Sequence, residues 1–202
     1  MKKGLMLVVS GPAGSGKGTV NAMLLEREDF AFSVSATTRA PRPGEVDGVN
    51  YHYITREDFL ARIDSGDLLE YTEYCGNFYG TPLKEAEEVM QSGKNLILEI
   101  EVEGARNVKA KYPDAVLVLL LPPSYSEQEA RLRGRGTETE EKIRERLARA
   151  REEILHANSY DYVVYNRDGM DREAANDILA IVNAEQHSLL RNSSVAEDYL
   201  NS

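Results

Sequence analysis

Between the apolar run Leu5-Met6-Leu7-Val8-Val9 and a helical pattern that begins at Lys17 lies the segment Gly11-Pro12-Ala13-Gly14-Ser15-Gly16-Lys17-Gly18-Thr19. A G-x-x-x-x-G-K spacing at that seam commits the chain to a buried strand, a tight loop and a helix in succession. Glycines let consecutive backbone N–H groups turn inward, the helix N-terminus adds a positive dipole, and a lysine at this offset reaches terminal phosphate oxygens. Gly11, Pro12, Ala13, Gly14, Ser15, Gly16, Lys17, Gly18 and Thr19 are therefore read as a P-loop for a nucleoside triphosphate. A plain glycine-rich turn would fit the same residues without explaining the strand and helix in register. Gly18 stands where the motif takes Ser or Thr, and Thr19 comes one residue late. Whether the Mg²⁺ that accompanies such a nucleotide is held directly by Thr19 or through water and carboxylates is therefore left open.

Further short apolar runs at residues 96–100, 115–121 and 162–165 have the uniform character of strands buried on both faces. Helical patterns separate them at 17–28, 82–91, 103–111, 126–133, 139–157 and 172–186. That alternation predicts an α/β fold, a three-layer sandwich around a central parallel sheet. Two segments interrupt it. Residues 33–83 mix strand-like pieces with a helix at 57–65 and hold the turn Pro41-Arg42-Pro43-Gly44; residues 126–158 are dense in Arg and Glu. The core is then 1–32, 84–125 and 159–202, and the polar end from 191 is expected to fray.

With 34 acidic against 24 basic side chains the net charge is −10, which opposes binding to a phosphate backbone and excludes nucleic acid as a partner. Cys75 is the lone cysteine, so no internal disulfide forms, and a reducing, cytoplasmic address is expected. The basic and then apolar start is too short for a signal peptide or a membrane span. Asn192-Ser193-Ser194 matches a glycosylation sequon and is read as chance. A homo-oligomer stays open.

A P-loop describes only a phosphoryl donor, so the acceptor has to be sought in the first insertion. Arg39 and Arg42, three apart in a segment stiffened by prolines, form a fork for phosphate oxygens, and Tyr51 and Tyr79 add hydroxyl donors. Taken alone, a solvated basic turn beside core tyrosines is the commoner meaning of such residues.

Position by position, however, Ser33-Val34-Ser35-Ala36-Thr37-Thr38-Arg39-Ala40-Pro41-Arg42-Pro43-Gly44-Glu45, Gly48-Val49-Asn50-Tyr51, Glu70 and Tyr79-Gly80-Thr81 resemble the guanylate kinases. The resemblance runs from the P-loop through Gly134-Arg135-Gly136-Thr137-Glu138-Thr139 to Asn166, over nearly the whole chain. It implies that 33–83 is a GMP-binding lobe and 126–158 a helical lid. It also implies that Ser35, Glu70 and Thr81 contact guanine, while Arg39, Arg42, Tyr51 and Tyr79 bind the GMP phosphate. The chemistry agrees, because a carboxylate matches the adjacent N1–H and N2–H₂ donors of guanine, and adenine would leave it unpaired.

Glu99 and Glu101, two apart at the end of the 96–100 run, are expected on one face at the carboxyl edge of the sheet. The family usually has Asp there, contacting the acceptor base or organising Mg²⁺ and water. Glu103 stands where Gln is common, and Arg167 where an acid is. Catalysis would rest on Lys17 with Arg131, Arg135 and Arg146 on a lid hinged at Gly134 and Gly136; Arg149 is left between the clamp and a solvated helix face. Asn166 is expected at the adenine of ATP. The reaction implied is ATP + GMP ⇌ ADP + GDP, with dGMP as a second acceptor. A ribose-bisphosphate kinase of the same fold and a non-catalytic phosphopeptide-binding module are the alternatives.

Overall fold

The computed structural model describes residues 4–201 except Cys75, Arg135, Thr137 and Glu138, with Tyr74 described by its backbone alone. The expectations for Cys75 and Arg135 therefore lie outside the described residues. Among these residues the central sheet is parallel and five-stranded, built from β1 (Met6–Ser10), β2 (Phe30–Phe32), β7 (Asn95–Leu98), β8 (Val116–Leu121) and β9 (Tyr162–Tyr165) in the order β2-β7-β1-β8-β9. Side chains alternate across it. Leu7 and Val9 of β1 and Val118 and Leu120 of β8 pack against α1 (Lys17–Leu24) and α7 (Asp171–His187). Met6, Val8, Leu96, Leu98 and Leu117 face α3 (Leu83–Gln91) and α4 (Val102–Lys111) on the other side. Burial of both sheet faces explains why these strands read as unbroken apolar runs, and it makes the three-layer sandwich.

Four elements depart from the sequence reading. β2 had no strand signal, being three residues long; it adds to the sheet edge by pairing Phe30–Phe32 with Asn95–Ile97. To free that strand, α1 ends at Leu24 rather than running to 28, and Arg27 is tied to Asp29 at 2.9 Å in the intervening turn. β7 stops at Leu98, so Glu99 and Glu101 do not share a strand face; they sit in the loop that leads into α4, where Glu101 is the N-cap residue. At the far end α8 (Val195–Leu200) forms where fraying was expected.

The first insertion makes a second sheet of β4 (His52–Tyr53), β3 (Ala36–Thr37), β6 (Asn77–Pro82) and β5 (Leu68–Tyr74), in that order. Beneath it α2 (Arg56–Ser65) starts at Thr55, whose hydroxyl accepts the Asp58 N–H at 3.1 Å, and stops at Gly66 in the left-handed region. Phe59 stacks on Phe78 with ring centroids 5.2 Å apart, giving the lobe its own small core. Leu69 leaves that lobe to join the α3–α4 layer, which fixes β5 and hence Glu70 to the main body. The second insertion is a helical pair, α5 (Tyr125–Gly134) and α6 (Glu140–Ile154), joined by packing of Leu132 against Ile143 and Leu147. No described helix is long and apolar enough to cross a membrane.

Candidate active site

β1 delivers the chain into the loop 11–16 and α1 takes it out, as the G-x-x-x-x-G-K spacing required. Gly11 lies where the loop crosses β8, and a Cβ there would come within 2.1 Å of the Leu120 carbonyl oxygen. Gly16 is the N-cap of α1 at φ 90°, a conformation that side-chain-bearing residues rarely adopt, and its missing Cβ makes room for Asn166. Lys17 Nζ donates to the Gly11 carbonyl, which ties the two ends of the loop together. From α5 the buried Gln128 donates to the Ala13 carbonyl at 2.9 Å, and Leu132 and Leu147 pack near Ala13.

This loop forms one wall of a cleft of about 410 Å³. Pro12, Ala13, Gly14, Ser15, Gly16, Lys17, Gly18 and Thr19 line it, and from the lobe so do Ser35, Arg39, Arg42, Tyr51, Glu70 and Tyr79. Glu99 and Glu101 contribute from the β7–α4 loop, and Arg146 and Arg149 from α6. Residues from four separate stretches of sequence thus meet in one cavity, and Arg149, which the sequence left undecided, is among them.

Arg39 and Arg42 are held together by a residue that the motif contains but to which no role was given. Glu45 accepts from Arg39 Nη2 at 2.9 Å, from the Tyr53 hydroxyl at 2.8 Å and from the Arg42 backbone N–H at 2.7 Å. The Arg39 hydrogen bond is the main reason that the Glu45 carboxyl is held down to about 2. The Arg39 guanidinium also lies 5.4 Å from the Tyr51 ring centre, within cation–π range. Burial pushes the Tyr51 hydroxyl up to about 12, so near neutral pH it keeps its proton to donate.

Glu70 is only 6% exposed. Its Oε1 accepts from the Thr81 hydroxyl at 2.8 Å, while Oε2 has no partner. Burial pushes this carboxyl up to about 7, against the hydrogen bonds from Thr81. Thr81, expected to donate to a ligand, is itself fully buried and commits its hydroxyl proton to Glu70. A buried carboxylate with one satisfied oxygen and one bare oxygen calls for a donor from the cleft it lines.

Asn166, Arg131 and Glu99 are each engaged by a hydrogen bond to a neighbouring element. Asn166 does not line the cleft; its Nδ2 donates to the Ser15 carbonyl at 3.0 Å and to Asp171 at 2.9 Å, bracing the loop from behind. Arg131 also lies off the cleft lining, with Nη2 donating to Glu127 at 2.7 Å and to the Asn166 carbonyl at 2.8 Å. Glu99 is oriented by Asn21, buried in α1, whose Nδ2 donates to it at 2.7 Å. Asn21 lies four residues past Lys17 and so falls on the same helix face, a spacing that would have flagged it.

Glu153 of α6 is a further cleft residue unread in the sequence. Burial and then the charge of Glu101 push it up to about 7, opposed by Lys17 and Arg149. Arg149 and Glu153 stand 3.8 Å apart on successive turns. Their one-turn spacing was visible in the sequence, but within a helix dense in such pairs it carried no distinguishing signal.

The guanylate kinase family profile matches residues 3–185. A guanylate kinase of Halalkalibacterium halodurans is 53% identical over 185 residues, covering 91% of this chain and 90% of that protein. One from Lactobacillus delbrueckii subsp. bulgaricus is 49% identical over 199 residues, 98% and 95% of the two. The crystal structure of guanylate kinase from Anaplasma phagocytophilum superposes with a TM-score of 0.78 at 36% identity, covering 94% of this chain and 90% of that one. The similarity spans the loop, the inserted lobe, the helical pair and all five strands of the main sheet, and on that ground the chain belongs to the guanylate kinase family.

Proposed function

We propose that the chain transfers the γ-phosphoryl group of ATP to GMP, giving ADP and GDP, with dGMP as a second acceptor. The observation that carries this reading is that the loop around Lys17 and the Arg39–Tyr51–Glu70 set line the same cleft. Two nucleotides bound there meet phosphate to phosphate. An oxygen of the GMP phosphate attacks the γ-phosphorus, the bond from that phosphorus to the bridging oxygen breaks, and ADP departs. Such a transfer needs alignment and positive charge rather than a covalent intermediate. Lys17 and the backbone N–H groups of the loop hold the donor. Arg39, Arg42, Tyr51 and Tyr79 hold the acceptor phosphate; Arg146, with Arg149, supplies charge from the lid, and Arg131 positions through Asn166.

Glu70 reads guanine by accepting from N1–H and N2–H₂, and Ser35 offers a hydroxyl to the base. Among the described residues no group of three His, Cys, Asp or Glu side chains could hold a metal alone. Thr19, Glu99 and Glu101 nevertheless line the cleft as oxygen donors, a set that suits Mg²⁺ carried by the nucleotide and its waters. Bound there, Mg²⁺ would neutralise charge on the transferring phosphates. The acidic surface and lone cysteine support a cytoplasmic enzyme whose partners are these small molecules.

A coupled assay across GMP, dGMP, AMP, UMP, CMP and a ribose bisphosphate tests the assignment. GMP and dGMP should turn over, with AMP slower by about 10³-fold or more in kcat/KM, because a site built around a buried hydrogen-bonding group rejects analogues that leave it unpaired. Equal rates with AMP would refute the role of Glu70, and preference for the ribose bisphosphate would refute the acceptor.

Glu70 also gives a pH dependence. Its ordinary carboxyl value is 4.5 and its folded value about 7. Between these pH values the folded chain holds a proton that the unfolded chain has lost, so this group's contribution to stability declines as pH rises from 4.5 to 7. GMP pairs with the ionised form and must expel that proton. Its affinity should therefore fall as pH drops below about 7, approaching tenfold per unit, on top of the loss from protonation of the phosphate near pH 6. Calorimetric titration of GMP from pH 5.5 to 8.5 checks this: Glu70→Gln should remove the component near 7 and keep the one near 6.

A further inference from the structure

Gly104 lies in the first turn of α4 and is buried, yet its backbone is ordinary helix with no positive φ to require glycine. Glycine is a poorer helix former than alanine, and the backbone here makes no demand for it, so its presence points to a steric reason. A Cβ placed on Gly104 would fall 2.8 Å from Glu70 Oε2, nearer than such contacts occur. Its next neighbours, Cβ and Cδ1 of Ile100, stand at an ordinary 3.5 Å. The conflict is thus confined to one atom, the bare carboxylate oxygen.

We infer that Gly104 is a specificity-positioning residue: the space left by its missing side chain is what lets the Glu70 carboxylate present both oxygens to the acceptor base. The inference rests on the reading of Glu70 as the guanine acceptor. Oε1 is pinned by Thr81 at 2.8 Å, so a methyl group at position 104 cannot be met by sliding the carboxylate along the cleft. It must rotate or withdraw, and either motion moves Oε2 away from where the second N–H donor arrives. Gly104 touches no substrate; it acts through Glu70. The loop that delivers it also carries Glu99 and Glu101, so one short connection between β7 and α4 shapes both the carboxylate edge of the cleft and the wall behind the base reader.

The test is a double-mutant cycle on the full chain with steady-state kinetics and thermal melts. Gly104→Ala should raise KM for GMP by about tenfold or more, the cost of one misplaced hydrogen bond, with KM for ATP within about twofold. Its Tm should be unchanged or slightly higher. In a Glu70→Asp background the carboxylate is one methylene shorter and stops short of the clash, so adding Gly104→Ala should cost less than about twofold more. Equal losses in the two backgrounds, a parallel rise in KM for ATP, or a lowered Tm accounting for the lost activity would overturn the inference. Glu70→Gln separates the two levels. If it leaves KM for GMP unchanged, the reading of Glu70 has failed and the inference goes with it; if it is strongly impaired while Gly104→Ala is silent, only the role of Gly104 is refuted.

Discussion

Lys17→Met should lower kcat by about 10³-fold while leaving the dissociation constant for GMP within about twofold, a loss of the size seen when one preorganised donor to a developing charge is removed. Methionine keeps most of the apolar stem, so the loop still folds around Gly16 and Asn166. What disappears is the ammonium that caps the loop at Gly11 and, in the proposed reaction, neutralises the oxygens between donor and acceptor. The acceptor fork belongs to a different lobe and keeps its own hydrogen bonds, hence the retained GMP affinity. Single-turnover transfer together with calorimetric GMP binding measures both quantities. An active variant would contradict the role of Lys17, and collapse of GMP binding would show that the two halves of the cleft are not independent.

Arg39→Ala should raise KM for GMP by about 10²–10³-fold, more than one charge-assisted hydrogen bond accounts for. The excess comes from Glu45. That carboxylate is held down to about 2 chiefly by Arg39, with support from the Arg42 backbone and the Tyr53 hydroxyl. Without the guanidinium it remains ionised at neutral pH with no cation paired to it, next to the proposed position of the GMP phosphate. Changing Glu45→Gln in the Arg39→Ala background should therefore recover about tenfold, whereas Glu45→Gln alone should weaken GMP binding by loosening the fork. If the double variant binds no better than Arg39→Ala, repulsion by Glu45 is not part of the defect.

Both predictions concern residues that stood out in the sequence, but they stood out for different reasons. Lys17 was legible from local rules, since a loop whose backbone binds phosphate must be glycine-rich and must join a strand to a helix. Arg39 and Arg42 on their own spacing resembled a solvated turn, and only the longer run of motifs singled them out. Their common dependence on Glu45 appears only once residues 39, 42, 45 and 53 are folded around one carboxylate.

Local sequence determined four of the five parallel strands, most of the helices and the glycine-rich loop, because uniform apolar runs, helical periodicity and glycine spacing act over a few residues. Tertiary structure alone decided the rest. It made a sheet edge of Phe30–Phe32, a segment too short to carry a strand signal. It ended β7 at Leu98 and so moved Glu99 and Glu101 into a loop; it set Asn166 behind Ser15 and brought Glu153 into the cleft. It also set Gly104 against Glu70, thirty-four positions earlier in the chain. These outcomes depend on which groups from distant segments compete for the same small volume, and a pattern read along one stretch of chain holds no information about that competition.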